Sequence, residues 1–352
     1  MFEPTADSGA VEPVAGRDYP VDIAQLRAWF PGDDACLDYL DWLRWPQGFI
    51  CPRCGSPSAG RDEIGRYRCH GCRRRVSVTA GTIFDKTRIP MTVWFEAIWL
   101  FTAGKSGISA MYLHRVLPIG SYQTAWTMLS RLRQVMSSAE SEPLRGTVEM
   151  DETFLGGPRH GKFGRGAAGK TLVAGALEIL PDGWGRARLG VIPDASAASL
   201  KAFVRANIAS GSTVITDAWR SYPSALAGYV HEPVNVAASG KPAHESLPAV
   251  HRLFALVKRS MEGTYQGSWS VEHLPQYLDE FVFRFNRRHS RSRGLVFMRL
   301  LQRAAASQRV TYRDLALVSK PKPVHPAGVH GARAWPGTLD IDSPPLPWRK
   351  NT

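Results

Sequence analysis

The sequence predicts a multidomain α/β protein on three observations. Two Cys-x-x-Cys pairs stand near the front, a strongly helical stretch follows them, and after Pro143 short β-rich runs alternate with helical ones. At 352 residues the chain is too long for one ordinary domain. Its 44% hydrophobic content is enough for packed cores and excludes wholesale disorder.

Residues 1–47 read as a flexible leader over 1–20 and then short helices, because Ile23, Leu26, Phe30, Leu37, Leu40 and Leu43 recur at helical spacing. Residues 48–82 carry Cys51-Pro-Arg-Cys54 and Cys69-His-Gly-Cys72, with Tyr67 and Arg68 as a hairpin arm leading into the second pair. Zinc takes four thiolates tetrahedrally, and two knuckles joined by a β-hairpin supply them, so this segment reads as a zinc ribbon with a structural Zn²⁺. His70 would be a fifth ligand and reads as a solvated knuckle residue; Cys36 reads as a small buried hydrophobe.

Residues 85–140 are helical, broken at Gly104–Ser109 and at Pro118-Ile119-Gly120. Ser121 is an N-cap type of residue at the start of the last helix. The pattern suits a helix-turn-helix whose last helix enters a DNA major groove, or a plain bundle linking two domains. Strand-like runs then fall at 146–151, 171–179, 185–192, 212–217 and 229–236, with a helix over 195–209. Three strands, a helix, a strand, a short helix, a strand and further helices describe a ribonuclease-H-like mixed β-sheet over 145–300. Residues 301–352 read as a helical end and a Pro-rich, basic, disordered tail.

The net charge is +13, and the cations cluster at Arg73–Arg75, Arg131 with Arg133, Lys258-Arg259, and Arg284 through Arg293. Such clusters neutralise phosphates and point to a nucleic-acid partner. The longest apolar stretch, Val93 to Ala103, contains Glu96 and is too short for a bilayer, so no membrane partner is expected. The first twenty residues lack the pattern of an export signal, which leads to the expectation of a cytoplasmic protein. Residues Gly164 to Thr171 satisfy a phosphate-loop pattern, yet the TLVAGALEI after it reads as a strand where a nucleotide cradle needs a helix. No nucleotide cofactor is expected.

Asp151 ends the run GTVEMD, and Asp217 ends STVITD. If the two strands lie side by side, their carboxylates converge where divalent metals, Mg²⁺ or Mn²⁺, can serve phosphoryl transfer; separately, each is an ordinary strand-end residue. On a helix over Pro248 to Met261, His251, Ala255, Lys258 and Glu262 share one face, while Leu253, Leu256, Val257 and Met261 can pack on a sheet. That places His251 to meet the metal and Lys258 to reach a phosphate. As isolated helix residues, both would be ordinary surface groups.

Four segments taken in order are more specific than any one of them. MDETFLGG at 150–157, TDAWRSY at 216–222, VHRLFALVKRSMEGTYQG at 250–267 and HLPQYLDEFVFRFNRR at 273–288 resemble the bacterial transposases of insertion-sequence family 1595, as does the ribbon ahead of them. The resemblance implies a DDE-type enzyme in which Asp151 and Asp217 are the first two acids and Lys258 the family's lysine. His251 takes the third position, where many relatives have Glu or Asn. Glu245 and Glu262 are the alternative third acids. A histidine ligand departs from an all-oxygen set and favours Mn²⁺ relative to Mg²⁺. The implied activity is binding of double-stranded DNA at transposon ends and target, strand cleavage to a 3′-hydroxyl, and strand transfer, by a homo-oligomer. The competing function is a noncatalytic zinc-dependent DNA-binding protein, a decayed transposase. A stand-alone nuclease would leave the ribbon and helical reader without a purpose.

Overall fold

The computed structural model describes residues 12–62, 65–137, 142–156, 170–235, 243–266 and 269–317. The expected tail over 318–352 and most of the phosphate-loop pattern lie outside the described residues. The chain forms two compact units. One comprises residues up to Gly104 together with Ala110–Val135 and the stretch from Ser290 onward; the other comprises Lys105–Ser109 and Met136–His289.

The first unit opens with helices α1 (Ile23–Trp29) and α2 (Asp33–Arg44). Asp22 caps α1 by accepting the Gln25 amide, and α2 has Asp33 and Asp34 at its positive end and Arg44 at its negative end. The expected flexible leader does not extend to its last residues. Asp18 and Tyr19 are buried, and Tyr39 donates to the Asp18 carbonyl, which fixes this stretch against α2. Strands β1 (Ala59–Arg61), β2 (Tyr67–Cys69) and β3 (Arg75–Val76) form the antiparallel ribbon sheet. Helix α3 (Met91–Ala103) is apolar nearly all round and correspondingly buried, with Trp94, Phe95, Ile98 and Phe101 inside. Helices α4 (Ala110–Val116) and α5 (Tyr122–Ser137) follow, and the Ser121 hydroxyl accepts the Thr124 amide at the start of α5.

The second unit is built on strands β4 (Thr147–Leu155), β5 (Thr171–Leu180) and β6 (Gly183–Val191), helix α6 (Ala197–Asn207), strand β7 (Thr213–Asp217), helix α7 (Tyr222–Ala225) and strand β8 (Val230–Val234). Helices α8 (Ala243–Ser246), α9 (Pro248–Gly263) and α10 (Leu274–Asn286) complete it. The sheet order is β6-β5-β4-β7-β8; β4, β5 and β6 are antiparallel neighbours, and β7 and β8 run parallel to β4. This is the ribonuclease-H-like mixed sheet with helices that the order of runs predicts.

Side-chain alternation divides β4 between two cores. Val148 and Met150 point, with Ala174, Ala176 and Val214, into the core that contains Leu200, Phe203 and Val204 of α6. The other face carries Val173, Leu177 and Leu189 against Leu253, Phe254 and Val257 of α9 and Leu278 and Val282 of α10. Gly175, opposite Asp151 on β5, is where α9 comes closest: a Cβ built there would lie 2.4 Å from Cε1 of Phe254.

After α10 the chain returns to the first unit as α11 (Arg293–Ala306) and α12 (Tyr312–Leu317). Placing 290–300 with the sheet, as the sequence suggests, is corrected here. Phe297 packs its ring 5.8 Å from Phe95 and 5.5 Å from Trp99, and a side chain at Gly294 would collide with the Pro20 carbonyl. Helical periodicity marks an apolar face without saying which core receives it.

The close seat of Phe254 has a measurable cost if filled. Gly175→Ala should destabilise the protein by about 1–3 kcal/mol through overpacking, read as a lower midpoint in urea or heat. An unchanged midpoint would show that α9 is not pressed onto that strand.

Candidate active site and cysteine cluster

The pairing of β4 with β7 sets the two aspartates. Thr147 faces Thr213, Val148 faces Val214 and Glu149 faces Ile215; the pairing ends there, and the same register counted two residues further sets Asp151 level with Asp217. Glu149 and Asp151 alternate away from Val148 and Met150, and Ile215 packs on the core of α9, so both carboxylates belong to the α9 face. Asp151 Oδ1 accepts its neighbour's amide at Glu152, and Asp217 Oδ1 accepts the Trp219 amide in a tight turn beyond the strand.

Helix α9 supplies the third group. His251 Nε2 lies 3.3 Å from Asp151 Oδ2, with the imidazole 29% and the carboxylate 15% exposed, so the pair is sheltered yet reachable. Among the described residues, three or more possible ligand atoms within 4.8 Å of one another occur at the four cysteines alone, so Asp217 is not drawn in as closely as His251. Lys258 is exposed two turns farther along the helix, on the His251 face. Glu262 is exposed a further turn on, and Glu245 is exposed on α8, before α9 begins.

Two interactions that the sequence reading missed hold this arrangement. Glu149 is 7% exposed, and its Oε2 accepts the Ala249 and Val250 amides, both at 2.9 Å. A strand carboxylate thus caps the first turn of α9, one residue before His251, and satisfies two otherwise orphaned donors. Burial pushes the Glu149 carboxyl up from its ordinary range, while the two amides pull it the other way. On the opposite face, Tyr222 donates to Glu152, tying the TDAWRSY segment to MDETFLGG. Burial, and then the Glu152 charge, push the Tyr222 phenol well up, which keeps it a proton donor. Glu149 was visible as an acid two residues before Asp151, but no local pattern reveals a partner a hundred residues away.

The cysteine cluster is more compact. Sγ of Cys51 lies 3.7 Å from that of Cys72, and Sγ of Cys54 lies 3.6 Å from that of Cys69. Zinc–sulfur bonds of about 2.3 Å in a tetrahedron place sulfurs about 3.8 Å apart, so the four side chains fit zinc without rearrangement. The Cys72 amide, aimed at the Cys69 sulfur, outweighs burial and lowers that thiol to about 6, towards the thiolate a metal requires. His70 is exposed and its Nδ1 bonds to the Ser58 hydroxyl, while Cys36 is fully buried with its thiol pushed up by burial.

The sequence from 143 to 286 matches the family model described as the ISXO2-like transposase domain, and 31–75 matches the one described as the transposase zinc-ribbon domain. Both are domains of one family, and together they take in the four cysteines and the whole five-stranded sheet. The chain belongs to the transposase family of insertion sequence 1595. It is also 25% identical over 130 residues to an uncharacterized protein in transposable element ISH50 of Halobacterium salinarum, a match covering 36% of this chain and 43% of that protein. The chain thus spans less than half the length of this curated relative.

The basic clusters of the chain are not equivalent. Arg73, Arg74, Arg75, Lys258 and Arg259 are exposed. Arg133 is 2% exposed and lies over the Phe101 ring, which removes it from the expected phosphate contacts. Arg284 pairs with buried Glu280, while Arg287 and Arg288 cover the Phe283 and Phe285 rings. These side chains are spent partly on structure. No helix among the described residues is long and apolar enough to cross a membrane. The residues after Lys170 form a strand, so the phosphate-loop pattern lacks the following helix.

Glu149 yields a discriminating pair of substitutions. Glu149→Ala leaves two buried amides unpaired and should lose about 1–3 kcal/mol of stability for each, read as a lower unfolding midpoint. Glu149→Gln keeps an acceptor of the same shape and should retain most of the stability. An unchanged midpoint in Glu149→Ala would show that this side chain is not a cap that holds α9.

Proposed function

We propose that the chain is an active DNA transposase that binds the double-stranded ends of its insertion sequence and carries out metal-dependent strand cleavage and strand transfer. The observation that carries this reading is the approach of His251 on α9 to Asp151 on β4, with Asp217 in register on the neighbouring strand. Two carboxylates and an imidazole on one face of a sheet are a donor set suited to Mg²⁺ or Mn²⁺. Cations bound there supply activation of the attacking oxygen and neutralisation of the leaving one.

The protein's own groups do the rest. Asp151, midway along β4, and Asp217, at the end of β7, fix the position of negative charge on rigid strands. His251 keeps its ring against Asp151, and the capped start of α9 limits its movement. Lys258 offers an ammonium donor to a DNA phosphate on the same helix face. The four-cysteine ribbon holds a structural Zn²⁺ and presents Arg73, Arg74 and Arg75 to a DNA backbone. Synapsis of two ends calls for a homo-oligomer on DNA, and the reaction needs no nucleotide.

Asp151→Asn and Asp217→Asn should each abolish cleavage and joining of labelled end DNA while leaving binding of that DNA nearly intact. His251→Ala should cripple chemistry, His251→Glu should retain it and move the preference from Mn²⁺ towards Mg²⁺, and Lys258→Ala should mainly weaken engagement of the ends. Full activity of both aspartate variants would leave the noncatalytic DNA-binding alternative. Full activity of His251→Ala together with an inactive Glu245→Ala or Glu262→Ala would reassign the third ligand.

Purified protein should carry one zinc per chain by elemental analysis, and Cys54→Ser should lose it together with the fold of the ribbon. Well-folded wild-type protein without zinc would refute the metal assignment.

A further inference from the structure

The first unit contains a recess of about 330 Å³ between the segment ahead of α3 and the first half of α5, closed on one side by α12. Among the described residues three cations line it, Lys86, Arg88 and Arg131, and no carboxylate does. Its volume falls at the small end of ligand sites, roomy for a lone anion and suited to a phosphate with its sugar attached.

Arg131 has the more telling geometry. One of its nitrogens donates to the Ile83 carbonyl, but its buried Nε has no hydrogen-bond partner among the described residues. Buried donors are ordinarily satisfied, so this one marks a missing acceptor. Burial, and then the positive charge of Arg309, pull the Arg131 guanidinium below its ordinary value; Asp85 opposes this and is itself engaged by Arg309 at 3.3 Å. Lys86 has a φ of 56°, a left-handed conformation that costs a non-glycine residue energy and that collects at binding sites. The adjoining Thr87 is fixed by the Trp94 indole, which donates to its hydroxyl at 3.0 Å. From α5, Thr124 and Thr127 add hydroxyls to the wall, and the opening turn of that helix adds its positive end.

We propose that this recess is an anion site that seats a backbone phosphate of bound DNA between Lys86, Arg88 and Arg131. The proposal rests on the DNA-binding reading above and deepens it. The expected phosphate contacts of Arg133 are replaced by those of Lys86 and Arg88, whose clustering emerges only in the folded chain. Sequence-independent contacts of this kind fix the register of a protein on a duplex.

The test uses the whole chain, because Tyr312 forms part of the recess. Lys86→Gln/Arg88→Gln removes two exposed charges and leaves the core intact. Its affinity for insertion-sequence-end duplex should fall about tenfold at moderate salt, and the slope of log affinity against log salt should shrink by about one to two. Lys201→Gln/Arg205→Gln, an equal loss of charge on α6, should stay near wild type. Wild-type affinity and slope in the recess variant, or an equal loss in the α6 variant, would overturn the proposal while the DNA-binding reading stands. Failure of the wild-type protein to bind duplex would overturn both. Tight binding of inorganic phosphate that the recess variant loses, with duplex affinity unchanged, would assign the site to a free anion and overturn the DNA assignment.

Discussion

Helix α9 is held to the central sheet at two points, and the candidate active site exists because of them. Glu149 reaches from β4 to the first-turn amides, and Phe254 lies over the bare backbone of Gly175. The cap fixes where the helix begins, and the ring fixes how near it approaches. His251 sits between these anchors on the helix and therefore meets Asp151. Interiors are packed too tightly for such a helix to slide, so a constraint at either anchor is transmitted to the histidine.

The sheet contributes the remaining order by register alone. Parallel pairing of β4 with β7 sets residues of the two strands side by side, and a slip by one residue would turn one aspartate to the opposite face. Tyr222 and Glu152 guard against that from the other side of the sheet, joining the two aspartate-bearing segments through a hydrogen bond shielded from water. The same strands thus carry polar groups with different duties on their two faces, and the period of two keeps them apart.

Much of this was legible in the sequence because it is written locally. Alternation in TLVAGALEI and STVITD, and the helical period after Pro248, gave the elements, and each aspartate was visible as the end of an apolar run. Paired cysteines declare a metal site by spacing alone. Glu149, Gly175 and Phe254 were not legible, since their importance lies in contacts between distant segments. Arg133, Arg284, Arg287 and Arg288 were misread for a related reason. A charge count does not tell a guanidinium laid over a ring from one offered to solvent. The apolar face of α11 was evident, and its choice of core was not.

The threading of the chain through its two units has a consequence for biosynthesis. The first unit needs Phe297 from α11 beside Phe95 and Trp99, although those aromatic rings are made some two hundred residues earlier. At about 5–20 residues per second on the ribosome, they wait on the order of ten seconds or more for their partner. The sheet unit, whose residues Met136–His289 are nearly continuous in the chain, has everything it needs before α11 emerges. Translation therefore finishes the sheet unit first and completes the cysteine-bearing unit last, with a newly made chain exposing the aromatic face of α3 in the interval.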